Sequence, residues 1–213
     1  MPEIARFIEG FGRFRRRYFT GDEHVYKALC EGQAPSTMIV ACCDSRVDPA
    51  IVLDAHPGDF FVVRNIANLV PPHEQGGGLH GVSAALEFGV RVLGVRHIVV
   101  MGHEKCGGIR ALLDGTEGEF LPRWMSMATA ARAGTLHEGA HLPVEARERA
   151  LNVAALRLSL RNLLSFPWIR AAVEARRLDL HAWYFDLTLG ELLGVPAETG
   201  EPVVLSGAGA GSA

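Results

Sequence analysis

The sequence predicts an α/β fold: a mostly parallel central β-sheet flanked by helices, with an N-terminal helical arm packing on a partner subunit. Three observations carry that expectation. Thr37-Met38-Ile39-Val40 and His97-Ile98-Val99-Val100-Met101 are apolar runs of strand length, each closing on small and polar residues. The second run leads into helical spacing at Ile109, Leu112 and Leu113, the strand-to-helix alternation of parallel sheets. A length of 213 residues, 48% hydrophobic and 21% charged, suits one α/β domain with a full core.

The elements follow in order. Residues 2–19 place Ile4, Phe7, Ile8, Phe11, Phe14 and Tyr18 at helical spacing, with Arg13, Arg15, Arg16 and Arg17 on the polar face. Glu3 and Glu9 argue against a transit peptide, which is poor in acids. A membrane-surface helix is a second reading; an arm on another subunit is the favoured one. Asp22 can cap a short helix running to Leu29 and Cys30, and Cys30 reads as core. Gly32-Gln33-Ala34-Pro35 breaks it before a strand over 36–41. Asp48-Pro49 starts a helical turn, because proline favours a first helical position, with Val52 and Leu53 as anchors. His56-Pro57-Gly58-Asp59 is a turn, 60–64 a strand and 65–72 an ordered loop. Gly76-Gly77-Gly78 hinges into a helix from Leu79 to Leu93, ended by Gly94. After the strand from His97 come a helix to Gly115, broken helix over 118–143, a long helix over 143–164 and another from Pro167 to Arg177. A late strand covers Leu180 to Phe185. One domain, 1–205 with the arm 1–32 included, is expected before a flexible tail of small residues, 206–213.

Charge and cysteine usage narrow the class. A formal net charge of −3 argues against a nucleic-acid surface, which would be strongly basic. No apolar run is long enough to span a bilayer. The four cysteines, with Cys42 and Cys43 adjacent, make a poor disulfide framework and fit a reducing cytoplasm with thiolates reserved for metal.

The chemistry gathers at two strand ends: Ala41-Cys42-Cys43-Asp44-Ser45-Arg46, and Gly102-His103-Glu104-Lys105-Cys106-Gly107-Gly108. Parallel strands that end together bring such turns side by side at the carboxyl edge, where ligands bind. Taken singly, a cysteine after a strand is a small buried hydrophobe and His-x-x-Cys is a weak signal. Taken together, Cys42, His103 and Cys106 are the ligand set of a catalytic zinc with a fourth position open. Such a zinc lowers the pKa of bound water from about 15.7 towards 7. Two thiolates donate more charge than imidazoles would, so activity is expected to rise above neutral pH. Asp44 has two options: to bind the metal and shut the site, or to pair with Arg46 through two parallel hydrogen bonds and orient the zinc-bound hydroxide. Cys43 points away from Cys42 along extended backbone and is no ligand.

The chain resembles the β-class carbonic anhydrases, nearest their plant-like branch. The segments that carry the resemblance are Ala41 to Val47, Phe61-Val62-Val63-Arg64-Asn65-Ile66-Ala67-Asn68, Ala85-Leu86-Glu87-Phe88 and Gly102 to Gly108, with Leu180 to Phe185 and Gly190-Glu191-Leu192-Leu193 similar to the family's last strands. The resemblance implies one Zn2+ per subunit on Cys42, His103 and Cys106, with the Asp44–Arg46 pair beside it. It implies reversible hydration of carbon dioxide to bicarbonate and a proton, in a homodimer or dimer-built oligomer with sites at the subunit boundary. It also implies a substrate pocket of Gln33 reaching across the boundary, Phe61 as apolar wall, Phe88 and Gly107, with Ile66 and Val70 as helpers.

The sequence departs from the pattern at three places. Cys43 stands where a small polar residue is usual, and Phe88 where plant-like members often have tyrosine. Met38-Ile39-Val40-Ala41 lacks the tryptophan of the bicarbonate-closed branch, so an open site is expected. For proton export, His56, His73, His80, His137 and His141 lie near loops or helix ends; His80 is the shuttle candidate and buffer the alternative. Two rival functions use the same ligands: a hydrolase of carbonyl sulfide or carbon disulfide, and a noncatalytic zinc or bicarbonate-binding module.

Overall fold

A computed structural model of the chain describes residues 2–21, 24–74 and 80–207. The expected Asp22 cap, the hinge at Gly76 to Gly78 with Leu79, and the tail beyond Gly207 lie outside the described residues. The chain runs α1 (Pro2–Tyr18), α2 (Val25–Leu29), β1 (Thr37–Cys42), α3 (Pro49–Val52), β2 (Phe60–Asn65), α4 (Gly81–Glu87), β3 (His97–His103), α5 (Gly107–Asp114), α6 (Leu121–Met125), α7 (Thr129–Gly139), α8 (Val144–Leu163), α9 (Pro167–Glu174), β4 (Asp179–Asp186), β5 (Glu191–Gly194) and β6 (Val203–Ser206). A 3₁₀ turn at Ile66–Asn68 follows β2, and α4 rolls into a π-helical turn at Phe88–Leu93 that Gly94 ends in the left-handed region.

The sheet has the order β2-β1-β3-β4-β5-β6. Strands β2, β1, β3 and β4 are parallel, and β5 and β6 are antiparallel. The β1 residues Met38, Ile39, Val40 and Ala41 are all buried, as are Ile98 to Met101 of β3; a parallel strand covered on both faces reads as one apolar run. Met38, Val40, Ile98, Val100, Ala182 and Tyr184 meet α4, α8 and α9 through Leu86, Leu156, Leu160, Leu163 and Ile169. Ile39, Ala41, Val99 and Met101 meet Val52, Leu53, Phe60, Trp183 and Phe185 on the other face. Each fully buried Leu or Ile contributes about 1.5–3 kcal/mol, so both faces hold the strand ends in place.

Some expectations change. Cys30 is exposed, because α2 is a short helix with no buried residue. Val70 is core, not pocket wall: the turn before it sends Ala67 and Asn68 through positive φ (61° and 48°), and the chain returns onto α8. There Val70 N–H donates to Ser159 Oγ and Asn162 Nδ2 donates to Val70 O. β6 was not expected, and Ser206, assigned to the tail, pairs with Leu192 at the sheet edge.

Candidate metal centre

Register explains why the two motifs meet. β1 and β3 are neighbours with Ala41 paired to Met101. Cys42 and His103 therefore emerge from adjacent strands at the same carboxyl edge. The turn after His103 brings Cys106 to the start of α5. All three are buried, and their ligating atoms lie within 4.8 Å of one another. Cys43 is exposed, turned away from the trio as expected.

These donors fit zinc. The Cys42 and Cys106 sulfurs are 3.7 Å apart; zinc–sulfur bonds of about 2.3 Å at a tetrahedral angle require about 3.75 Å. His103 Nδ1 faces the Glu104 carbonyl oxygen at 2.9 Å, which leaves Nε2 as the inward atom. That Nε2 is buried with no hydrogen-bond partner, a state that burial penalises unless something binds it. The two sulfurs are close enough for one to hydrogen-bond the other. The hydrogen bond from Cys106 holds the Cys42 thiol well below its ordinary range. The same bond, with burial, pushes Cys106 up, against backbone amides of Gly108 and Ile109 that favour its thiolate.

Arg46 locks Asp44. Its Nε and backbone N–H both donate to Asp44 Oδ1 at 2.9 Å, and its Nη2 donates to Oδ2 at 2.7 Å. The Arg46 side chain, by these bonds, holds the Asp44 carboxyl well below its ordinary range. Arg46 Nη2 also donates to the Lys105 carbonyl at 2.9 Å, tying the first motif to the second. Lys105 sits at φ 54°, and its Nζ donates to Thr188 Oγ1. Asp44 Oδ2 stands 3.9 Å from His103 Nε2, at the lip of the trio.

Residues with no expected role hold this edge. Arg64, at the end of β2, donates to the carbonyls of Cys42 and Asp44 and to Asp48 Oδ2. The signal was a guanidinium in an otherwise apolar strand end. Asn152 of α8 donates to the buried His103 carbonyl at 2.7 Å. Gly102 leaves room for it: a Cβ there would lie 2.5 Å from Asn152 Oδ1. Gly108 lets α5 approach the turn after β2, since its Cβ would lie 2.9 Å from both the Ala67 and Ile66 side chains.

The expected substrate residues divide into two groups. Gly107 opens α5 beside Cys106 with its backbone exposed. Ile66 is 41% exposed and lines a groove of about 1050 Å³ with Cys43, Asn65, Trp124 and His80. Trp124 Nε1 donates to the Ile66 carbonyl, which fixes that wall. Gln33, Phe61 and Phe88 are elsewhere. Phe61 pairs with Met38 near the amino end of the sheet, whereas Cys42 pairs with Asn65 at its carboxyl end. Phe88 packs on Phe61 with ring centroids 5.7 Å apart and planes tilted by 31°. Gln33 is exposed and precedes β1. At about 3.3 Å per residue, Thr37 alone stands roughly 16 Å from Cys42, so these three do not serve the metal trio of their own protomer.

A mostly parallel sheet with a buried Cys–His–Cys trio at its carboxyl edge defines a zinc-type metalloprotein of the α/β class. The family model for carbonic anhydrase matches residues 37–192. The chain belongs to the carbonic anhydrase family, in its β class. It is 39% identical over 189 residues to a carbonic anhydrase of Pseudomonas aeruginosa, covering 87% of this chain and 84% of that one. It is 39% identical over 180 residues to the chloroplastic beta carbonic anhydrase 5 of Arabidopsis thaliana, covering 83% of this chain; the chain spans only 59% of that protein's length. Among solved structures, the β-carbonic anhydrase CcaA superposes with a TM-score of 0.88 at 30% identity, over 95% of this chain and 99% of that one. One of two tetrameric β-carbonic anhydrases of Sordaria macrospora superposes with 0.79 at 30% identity, over 93% and 97%.

Proposed function

We propose that the chain catalyses the reversible hydration of carbon dioxide to bicarbonate and a proton. The observation that carries this reading is the juxtaposition of the buried trio with a carboxylate locked by Arg46, 3.9 Å from His103 Nε2. Cys42, His103 and Cys106 would hold zinc, which acts there as a Lewis acid that makes water nucleophilic near neutral pH. Asp44, kept ionised by Arg46, is an acceptor only. It accepts a hydrogen bond from the attacking oxygen and so aims a lone pair at carbon. Arg46 stops Asp44 from swinging into the metal position, which keeps the site open. Ile66 offers an apolar surface to a substrate with no charge, and the Gly107 amide lies beside the trio. The proton leaves to buffer or through His80 on the groove wall.

Gln33, Phe61 and Phe88 enter this scheme from a second protomer, whose amino edge faces the site. Gln33 then donates to a developing bicarbonate oxygen, and the two rings wall the carbon dioxide cleft. The arm supports such pairing. Ile4, Phe7, Ile8 and Phe11 are 53–69% exposed along α1, an apolar stripe that a monomer leaves bare. Within the arm, Phe14 and Phe19 pack on Tyr26 of α2 at 5.7 and 4.7 Å, tying α1 to α2. Phe7→Glu combined with Phe11→Glu is expected to convert the dimer-built oligomer to monomer in light scattering and to lower turnover with it. An unchanged oligomer would remove the arm from the interface. Four cysteines free of disulfides support a reducing compartment such as the cytoplasm as the place of action.

Stopped-flow assays with carbon dioxide and carbonyl sulfide test the reaction. Fast carbon dioxide hydration is expected. Rapid carbonyl sulfide turnover with slow carbon dioxide hydration would overturn it.

A further inference from the structure

Asparagine is a poor resident of a helix interior, because its side chain competes for backbone hydrogen bonds. Asn152 nonetheless stands inside α8, between the core residues Leu151 and Val153, and is 2% exposed. Its Nδ2 donates to the His103 carbonyl at 2.7 Å. Its Oδ1 is buried with no hydrogen-bond partner. An unpaired buried acceptor costs stability, and leucine has the same branching without that cost. The fit around it is close: a Cβ on Gly102 would meet Asn152 Oδ1 at 2.5 Å and Leu156 at 3.2 Å. What the asparagine supplies is a grip on one peptide group. The His103 carbonyl and the Glu104 N–H belong to the same peptide. Asn152 holds the carbonyl from α8, and the N–H donates to the Phe185 carbonyl of β4 at 2.8 Å. Two elements therefore fix that plane. The His103 ring hangs from one side of it, and the turn to Cys106 begins on the other. The ring's Nδ1 faces the next carbonyl, that of Glu104, at 2.9 Å, so a rotation of the peptide would part the ring from its backbone partner.

We propose that Asn152 is a positioning residue for the metal centre: through the peptide between His103 and Glu104 it aims His103 Nε2 at the point shared with Cys42 and Cys106. The proposal rests on the reading of that trio as the zinc site. Asn152 bonds the backbone of a ligand and no ligating atom, so it acts through His103. Arg64 does the equivalent at the neighbouring strand, where its Nε donates to the Cys42 carbonyl at 2.8 Å. Each strand end is thus pinned at the backbone of the ligand it carries. Burial makes the Asn152 bond hard to replace. His103 is 1% exposed, so in Asn152→Leu no water takes over the lost donor.

The test is chelator competition for zinc on the full-chain protein, read beside the absorption spectrum of the cobalt-substituted protein, which reports geometry at the metal. Asn152→Leu is expected to raise the zinc dissociation constant about 10–100-fold, the usual effect of losing the partner behind a metal ligand, and to shift the cobalt ligand-field bands. Its apoprotein is expected to melt close to the wild-type apoprotein, since one unpaired buried oxygen takes the place of another. Asn152→Ala removes the same donor without crowding Gly102, and is expected to weaken zinc and shift the cobalt bands in the same way. Wild-type zinc affinity in both variants would overturn the proposal. So would weaker zinc binding with an unshifted cobalt spectrum, which marks a merely structural role. Cys106→Ala separates this from failure of the trio itself: if that variant keeps its zinc, other residues hold the ion, and the site reading falls with this proposal.

Discussion

Asp44→Asn is expected to lower kcat/KM for carbon dioxide hydration by at least about 100-fold, the usual contribution of a positioned proton acceptor, with zinc content unchanged. Metal retention follows from geometry, because the ligating trio is complete without Asp44. Loss of turnover follows from hydrogen-bond chemistry. Arg46 donates to both carboxylate oxygens, and an asparagine turns one acceptor into a donor. One guanidinium N–H then meets an N–H, and the pair that aims the side chain opens. The remaining carboxamide is uncharged and accepts only through its single oxygen. Stopped-flow rates read beside zinc content decide the matter. Wild-type turnover would remove Asp44 from the reaction and favour a noncatalytic zinc module. Zinc loss in step with activity would make Asp44 a ligand. Arg46→Lys is the companion: it keeps the charge, loses the two parallel bonds, and is expected to fall between Asp44→Asn and wild type.

The metal trio could be read in the sequence because each ligand follows directly from strand grammar. Buried parallel strands are unbroken apolar runs, and the residues just beyond Val40 and Met101 had to lie at one edge. The Asp44–Arg46 lock was legible in kind, since residues two apart beside a turn face the same opening. Its anchor on the Lys105 carbonyl was not, because a backbone oxygen aimed by a positive φ leaves no mark in residue types. Gln33, Phe61 and Phe88 match family positions; the resemblance sends Gln33 across the boundary but does not say which protomer the two rings serve. Strand direction does: their places at the amino edge put them beyond reach of Cys42. Val70 looked like a loop residue open to a cleft. Its burial depends on Ala67 and Asn68 adopting left-handed conformations, rare for such residues and invisible to periodicity. β6 escaped because all four of its residues are exposed at a sheet edge, so no alternation of burial betrays the strand.

Removal of zinc by a chelator is expected to abolish activity and lower the melting temperature. An ion held at about 100–1,000 times its dissociation constant stabilises by about 2.7–4.1 kcal/mol. For a domain of this size that corresponds to roughly 5–15 °C. Physical reasons for a large effect lie in the trio itself. Cys42, His103 and Cys106 are at most 4% exposed. Stripped of metal, they leave an unpartnered imidazole nitrogen and two sulfurs 3.7 Å apart, close enough for one to hydrogen-bond the other. Strain at Lys105 is then no longer offset by a ligand on either side of it. The chain should still fold, because Ile109, Leu112, Leu113, Met125 and Leu151 pack beneath the site without help from the ion. Cys106→Ala separates the contributions. It is expected to bind no stoichiometric zinc, to melt near the chelated wild type, and to show no further change on chelation. A variant that keeps one tightly held zinc and full activity would mean that other residues grip the metal, and the catalytic reading built on these three ligands would fall.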